Sequence, residues 1–216
     1  IDPGAELAIQ GHFDAVAVLE SEGRTGEAAE LLSEFRRMYP EHELGRDTAK
    51  RLADMYERTE DWSRAAAEYV QLSRNASESD VARQSTYRAA ELYLQLGDVA
   101  SAQAYFKTYA HTYMEPKDLR LEAMHQLDLT YQRAGDGDKR RFWLGKKIDL
   151  YRSMGSAPTP RATYLAVEAE FVFAEDERAR FDAVRLSHPL KKSLKLKQQA
   201  LKRTVDRKST RLNSSH

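Results

Sequence analysis

The sequence predicts an all-α protein built from stacked antiparallel helix pairs, and three observations carry that prediction. Apolar residues recur at the 3.6-residue period of a helix rather than the two-residue period of a strand. A self-similar pattern returns at Gly23, Glu60, Gly97 and Gly135, at spacings of 37, 37 and 38 residues, and periods of this size mark repeat architectures. Glycine (10 of 216 residues) and proline (6) are scarce, which disfavours an all-β sandwich.

The first pair is expected over 5–22 and 25–38, the second over 45–59 and 61–74, the third over 79–96 and 98–113, and the fourth over 118–134 and 138–154. Four residues before each marker stands Leu19, Tyr56, Tyr93 or Tyr131, and nine after stands Leu32, Tyr69, Phe106 or Leu144. Five after the first three stands Ala28, Ala65 or Ala102. Two antiparallel helices cross closely at an alanine, the bulky residue a turn away fills the gap beside it, and glycine permits the tight turn. Ser79, flanked by Glu78 and Asp80, opens the third pair with acids where a helix amino end favours them. Pro116 and Pro158 fall between pairs, where a missing N–H does least harm. The fourth pair departs, with Asp128 where a small residue is usual and Arg140 where alanine is expected.

Met154 to Pro160, with Gly155, Pro158 and Pro160, is the strongest loop signal. Beyond it Thr163 to Leu186 runs without Gly or Pro, so one long helix is expected over 160–186. His188-Pro189 then turns the chain into a Lys-rich helix over 190–205. The expected organisation is an array of about four repeats over 1–154 (5–38, 45–74, 79–113, 118–154), a loop at 155–160, and a long helix plus a basic amphipathic helix over 160–205 that open further repeats. Asp206 to His216 matches the translation of a common short-read sequencing adapter and is expected to be non-native, its Asn213-Ser214-Ser215 sequon included.

Lys plus Arg and Asp plus Glu number 34 each, but the balance is uneven along the chain. Residues 1–184 carry 24 basic and 33 acidic side chains, a net of −9, whereas residues 185–205 carry seven basic ones and no acid. Lys191, Lys192, Lys195, Lys197, Lys202 and Arg203 therefore form a candidate basic patch for an acidic partner, alongside the plainer reading of lysines snorkelling from an amphipathic helix. Without interleaved aromatics no nucleic-acid partner is expected. The longest apolar runs are four or five residues, as in Ala15 to Leu19, too short to span a membrane.

Chemistry is sought and not found. Zero cysteines exclude disulfides, thiolate catalysis and Cys-ligated zinc. No two histidines stand at i, i+4 around a glutamate, the helical zinc arrangement. Gly135-Asp136-Gly137-Asp138 suggests a calcium loop, yet Lys147 holds the position that geometry reserves for a bidentate acid. There is no phosphate loop and no Gly-x-Ser-x-Gly elbow. Glu175-Asp176-Glu177 reads as a solvated face, and the Asn75-Ala76-Ser77 sequon carries no assigned function. No catalytic residue, metal or cofactor is expected, and the chain is read as not an enzyme.

The pattern Ala90-Tyr93-Gly97-Ala102-Phe106, with Ala53-Tyr56-Ala65-Tyr69 and Gly23-Ala28-Pro40, resembles the tetratricopeptide repeat. That resemblance implies a right-handed α-solenoid whose first helices line a concave groove for a peptide or helix. Carried over residue by residue, the groove positions are Lys50, Asp54, Glu57 and Arg58 in repeat two, Tyr87, Glu91, Leu94 and Gln95 in repeat three, and His125, Leu129, Gln132 and Arg133 in repeat four. The chaperone-binding members hold a C-terminal carboxylate, but Asp54 and Glu91 stand at the matching asparagine positions and would repel one. A neutral or basic partner segment is expected instead. The repeats followed by Ala166 to Leu186 and Pro189-Leu190-Lys191-Lys192-Ser193-Leu194-Lys195 also look like bacterial envelope and gliding-motility repeat proteins. This implies a scaffold in an envelope complex, in the periplasm rather than the cytoplasm. The alternative is the partner-recognition or regulatory arm of a larger signalling or enzyme protein.

Overall fold

The computed structural model describes residues 3–40, 42, 48–76, 79–155 and 158–212. Among them the chain forms ten helices and no strand: α1 (Pro3–Ser21), α2 (Thr25–Met38), α3 (Thr48–Arg58), α4 (Trp62–Asn75), α5 (Ser79–Gln95), α6 (Val99–Thr112), α7 (Lys117–Arg133), α8 (Gly137–Arg152), α9 (Pro160–Ala183) and α10 (Leu190–Leu212). They fall into two compact units, Ile1–Met114 and Glu115–His216.

The repeat markers are the turns. Gly23, Gly97 and Gly135 have φ of 75°, 77° and 69°, and Glu60 adopts the same left-handed region at 59°. At each turn the carbonyl of the residue four before the marker, Leu19, Tyr56, Tyr93 or Tyr131, accepts the N–H of the residue after it, Arg24, Asp61, Asp98 or Asp136. The marker's own N–H closes the shorter bond, to Glu20, Glu57, Leu94 or Gln132. This is the glycine-type helix stop, which satisfies carbonyls left open at a helix end. In three of the turns the next residue also starts the following helix. The side chains of Asp61, Asp98 and Asp136 accept from the N–H of Arg64, Ser101 and Lys139 at 3.0, 3.1 and 3.0 Å. Arg24 in the first turn supplies no such cap.

In the first unit each helix packs on the next, from α1 through α6. The crossing alanines Ala28, Ala65 and Ala102 are fully buried, and Val16, Leu32, Leu52, Met55, Tyr56 and Leu92 surround the first two as one core. Ser77 and Glu78, which complete the Asn75 sequon and the start signal of the third pair, lie outside the described residues.

In the second unit α7 pairs with α8, α9 packs on both, and α10 packs on α9. Leu144, Ile148, Ala169 and Phe173 close the α8–α9 contact. The chain therefore divides between Met114 and Glu115, while the loop before Pro160 joins helices of a single unit. Thr159 caps α9 by accepting the Ala162 N–H at 3.1 Å. The far end of α9 is closed by Lys197, whose ammonium donates to the carbonyls of Phe181 and Val184 at 2.8 and 3.1 Å. α10 runs on through Asp206 to Leu212, most of the segment that the sequence sets aside. Asn213 to His216 lie outside the described residues. Among those described, no helix is long and apolar enough to cross a membrane.

Candidate functional site

The first helices of the first unit present one ion-paired face. Arg51 on α3 pairs with Glu20 on α1, and its guanidinium lies 5.1 Å from the centre of the Phe13 ring. Arg88 on α5 grips Glu57 on α3 through two hydrogen bonds, 2.9 and 2.5 Å, and reaches Glu91 on its own helix at 2.9 Å. That grip holds the Glu57 carboxyl below the usual carboxylate range. The second helices are tied likewise: Arg36 on α2 to Glu68 on α4 with two bonds of 2.6 Å, and Arg74 on α4 to the Tyr105 hydroxyl on α6 at 3.3 Å. Neighbouring pairs are thus held in register by charge as well as by packing.

On this frame the expected groove residues separate. Lys50, Asp54 and Arg58 form an exposed stripe on α3, at helical spacing, and Gln95 is exposed on α5. Glu57, Glu91 and Leu94 are half-buried. Tyr87 turns toward α6, edge-on to Phe106 and Tyr109 at 5.6 and 5.1 Å, so it packs within its own pair. Arg88 was not among the expected residues, yet it pairs with two of them. With Lys50 and Arg58 it makes three cations against Asp54, Glu57 and Glu91, which brings the charge of this face to balance where an acidic lining was expected.

In the second unit Gln132 and Arg133 are exposed and Leu129 is half-buried, but His125 is buried. It belongs to a charged cluster inside the helices. Asp128 on α7 and Arg140 on α8, the two residues that break the repeat pattern, pair at 3.0 Å with Asp128 only 2% exposed. Lys147 on α8 is fully buried, and its ammonium lies 2.9 Å from the second Asp128 oxygen, 3.3 Å from His125 Nδ1 and 3.5 Å from a Glu168 oxygen on α9. Burial, and then the Lys147 charge, lowers the His125 pKa and keeps the imidazole neutral near pH 7.

The donor atoms of His125, Asp128 and Glu168 lie within 4.8 Å of one another, a set that by type could hold a metal ion. The Lys147 ammonium stands within 3.5 Å of all three, so the chain places its own cation where these donors converge. Sequence spacing could not show this set, because Glu168 joins from another helix, 40 residues after Asp128. The outward signal was Lys147 itself, a lysine at a core position of α8.

The six basic residues expected as a patch on α10 also separate. Lys191, Lys192, Lys195, Lys202 and Arg203 are exposed, whereas Lys197 closes α9 and lies 4.0 Å from the centre of the Phe181 ring. Five residues remain as a basic patch.

No family model and no curated protein matches this chain. Among solved structures it is similar to BtubC (BKLC) from P. vanneervenii, 17% identical over 72% of this chain and 68% of that one, with a TM-score of 0.45. It is also similar to a putative kinesin light chain with nearly identical TPR-like repeats from Podosopora anserina, 16% identical over 91% of this chain and 96% of that one, with a TM-score of 0.46.

Proposed function

We propose that this chain is a noncatalytic scaffold that binds a peptide or helix of a partner protein across α3 and α5, using Lys50, Asp54, Arg58, Glu91, Leu94 and Gln95. The observation that carries this reading is the exposed stripe on α3 beside a half-buried Leu94, on helices locked to each other by Arg88. A rigid face that mixes both charges with an apolar contact suits recognition of a segment, and pre-ordering it lowers the cost of binding. Because Lys50, Arg58 and Arg88 balance Asp54, Glu57 and Glu91, the favoured segment is neutral rather than strongly charged.

An array of immobilised neutral, basic and acidic peptides tests this. The chain should retain neutral sequences, and Arg88→Ala, which releases Glu57 and Glu91, should shift retention toward basic ones. Preference for acidic peptides by the unaltered chain overturns the proposal, as does an unchanged profile after Arg88→Ala. The long α9 followed by the Lys-rich α10 supports placing this scaffold in a bacterial envelope or motility complex, by resemblance in element order. Fractionation of the native host, with the protein recovered in the cytoplasm, overturns that setting.

A further inference from the structure

Two helices expose apolar side chains of complementary surroundings. On α10, Leu190, Leu194 and Leu201 are 51%, 43% and 48% exposed, and the spacing of four and seven residues places them on one face. Lys191, Lys195 and Lys202 border that face, and residues 185–205 contain no acid. On α1, Leu7 and Val18 are 76% and 54% exposed, again on one face. Between them lie Asp14 and Gly11, where an added Cβ would meet nothing within 4 Å, so another helix can approach closely. The first 23 residues contain five carboxylates and no Lys or Arg.

Pairing α10 with another α10 would bring two lysine rows together, and pairing α1 with α1 would oppose carboxylates. Pairing α10 with α1 joins leucines to an open apolar face and lysines to Asp14, while Glu20 and Glu22 are engaged by Arg51 and Arg24. We propose that α10 of one copy docks on α1 of a second copy, head to tail. Such a contact is heterologous: a head-to-tail junction leaves one face of each kind unused, so the series grows, whereas a reciprocal exchange of both contacts would close a dimer.

Light scattering and sedimentation of the 216-residue chain across a concentration series test this. The mean mass should climb above 24.7 kDa without levelling at twice that value, and added salt should reverse the climb. Leu194→Glu spoils the α10 face and Leu7→Glu the α1 face, both at exposed positions where helicity by circular dichroism should hold. Each variant alone should stay monomeric. Mixed in equal amounts they still own one intact face of each kind, and the mass should double and stop there. A chain monomeric at every concentration in low salt overturns the proposal, as does a closed dimer or an equimolar mixture that stays monomeric. So does capture of a monomeric chain on phosphatidylglycerol vesicles through the same leucines.

Discussion

The third and fourth helix pairs fill one crossing in opposite ways. In the third, the slots seven before and five after the turn hold Ala90 and Ala102, both fully buried; in the second, Ala53 and Ala65 do the same. In the fourth those slots hold Asp128 and Arg140, 3.0 Å apart, with buried Lys147 on the other Asp128 oxygen. Two alanines need only proximity, whereas an ion pair must repay the desolvation of its charges through good geometry and further hydrogen bonds. Asp128 meets that condition by accepting from two cations, and no buried side-chain polar atom lacks a partner among the described residues. A crossing of small residues tolerates the loss of one contact. A crossing of charges fails when one member is removed.

The largest expected effect follows from that asymmetry. Asp128→Ala takes from buried Lys147 its closest carboxylate, leaving only the 3.5 Å contact to Glu168, strips Arg140 of its partner, and should cost about 3–5 kcal/mol. The two tryptophans, Trp62 in the first unit and Trp143 in the second, let each unit be followed separately. In a Trp62→Phe background, urea unfolding read through Trp143 reports the second unit alone. Asp128→Ala with Arg140→Ala and Lys147→Met, which installs an apolar crossing like that of the third pair, should recover most of the loss. An Asp128→Ala variant within about 1 kcal/mol of its parent would show that the cluster is solvated after all.

The two units should also answer pH differently. Burial lowers the His125 pKa, so the folded chain resists a proton that the unfolded chain takes up near the ordinary histidine value of about 6.5. The stability this represents is complete above that value and is lost as pH falls below it. In the first unit the lowered groups are carboxylates, Glu27, Glu57 and Asp61 held by Arg24, Arg88 and Arg64 and Asp98 by Ser101, so the loss they carry begins below about pH 4.5. Thermal unfolding between pH 7 and 5 should therefore weaken the Trp143 signal first. His125→Gln should flatten that slope; an unaltered slope would assign it to another group.

Most of the helical frame was legible in the sequence because its signals are local. Helix α2 runs over the expected span, and α4 to α8 end within two residues of expectation, since the turn glycines and the aromatic four before them are the atoms of the helix stop itself. The division at Met114 was not legible, because it depends on which helices α9 covers and not on loop composition. For the positions carried over from the repeat, which side chains face outward was not legible. Tyr87 and His125 occupy the positions the repeat assigns, yet partners on α6 and α8 draw them inward. Asp128 and Arg140 were visible as departures, and only their 12-residue separation across a helical hairpin makes them compensate each other.

Glu60 is the departure that nothing compensates, which makes it the smaller but sharper test. It holds the left-handed turn of the second pair at φ 59°, where the other three pairs place glycine, and a side chain there crowds the backbone by about 1–2 kcal/mol. Glycine removes that strain but gains freedom in the unfolded chain, so Glu60→Gly should stabilise the first unit by a net of about 0.5–1 kcal/mol. The converse, Gly97→Ala at φ 77°, should destabilise by a similar amount through the backbone alone, since an added Cβ there meets nothing within 4 Å. Read through Trp62 in a Trp143→Phe background, the two substitutions should move the urea midpoint in opposite directions. A loss on Glu60→Gly would mean that the glutamate side chain holds the turn by a contact worth more than the strain it imposes.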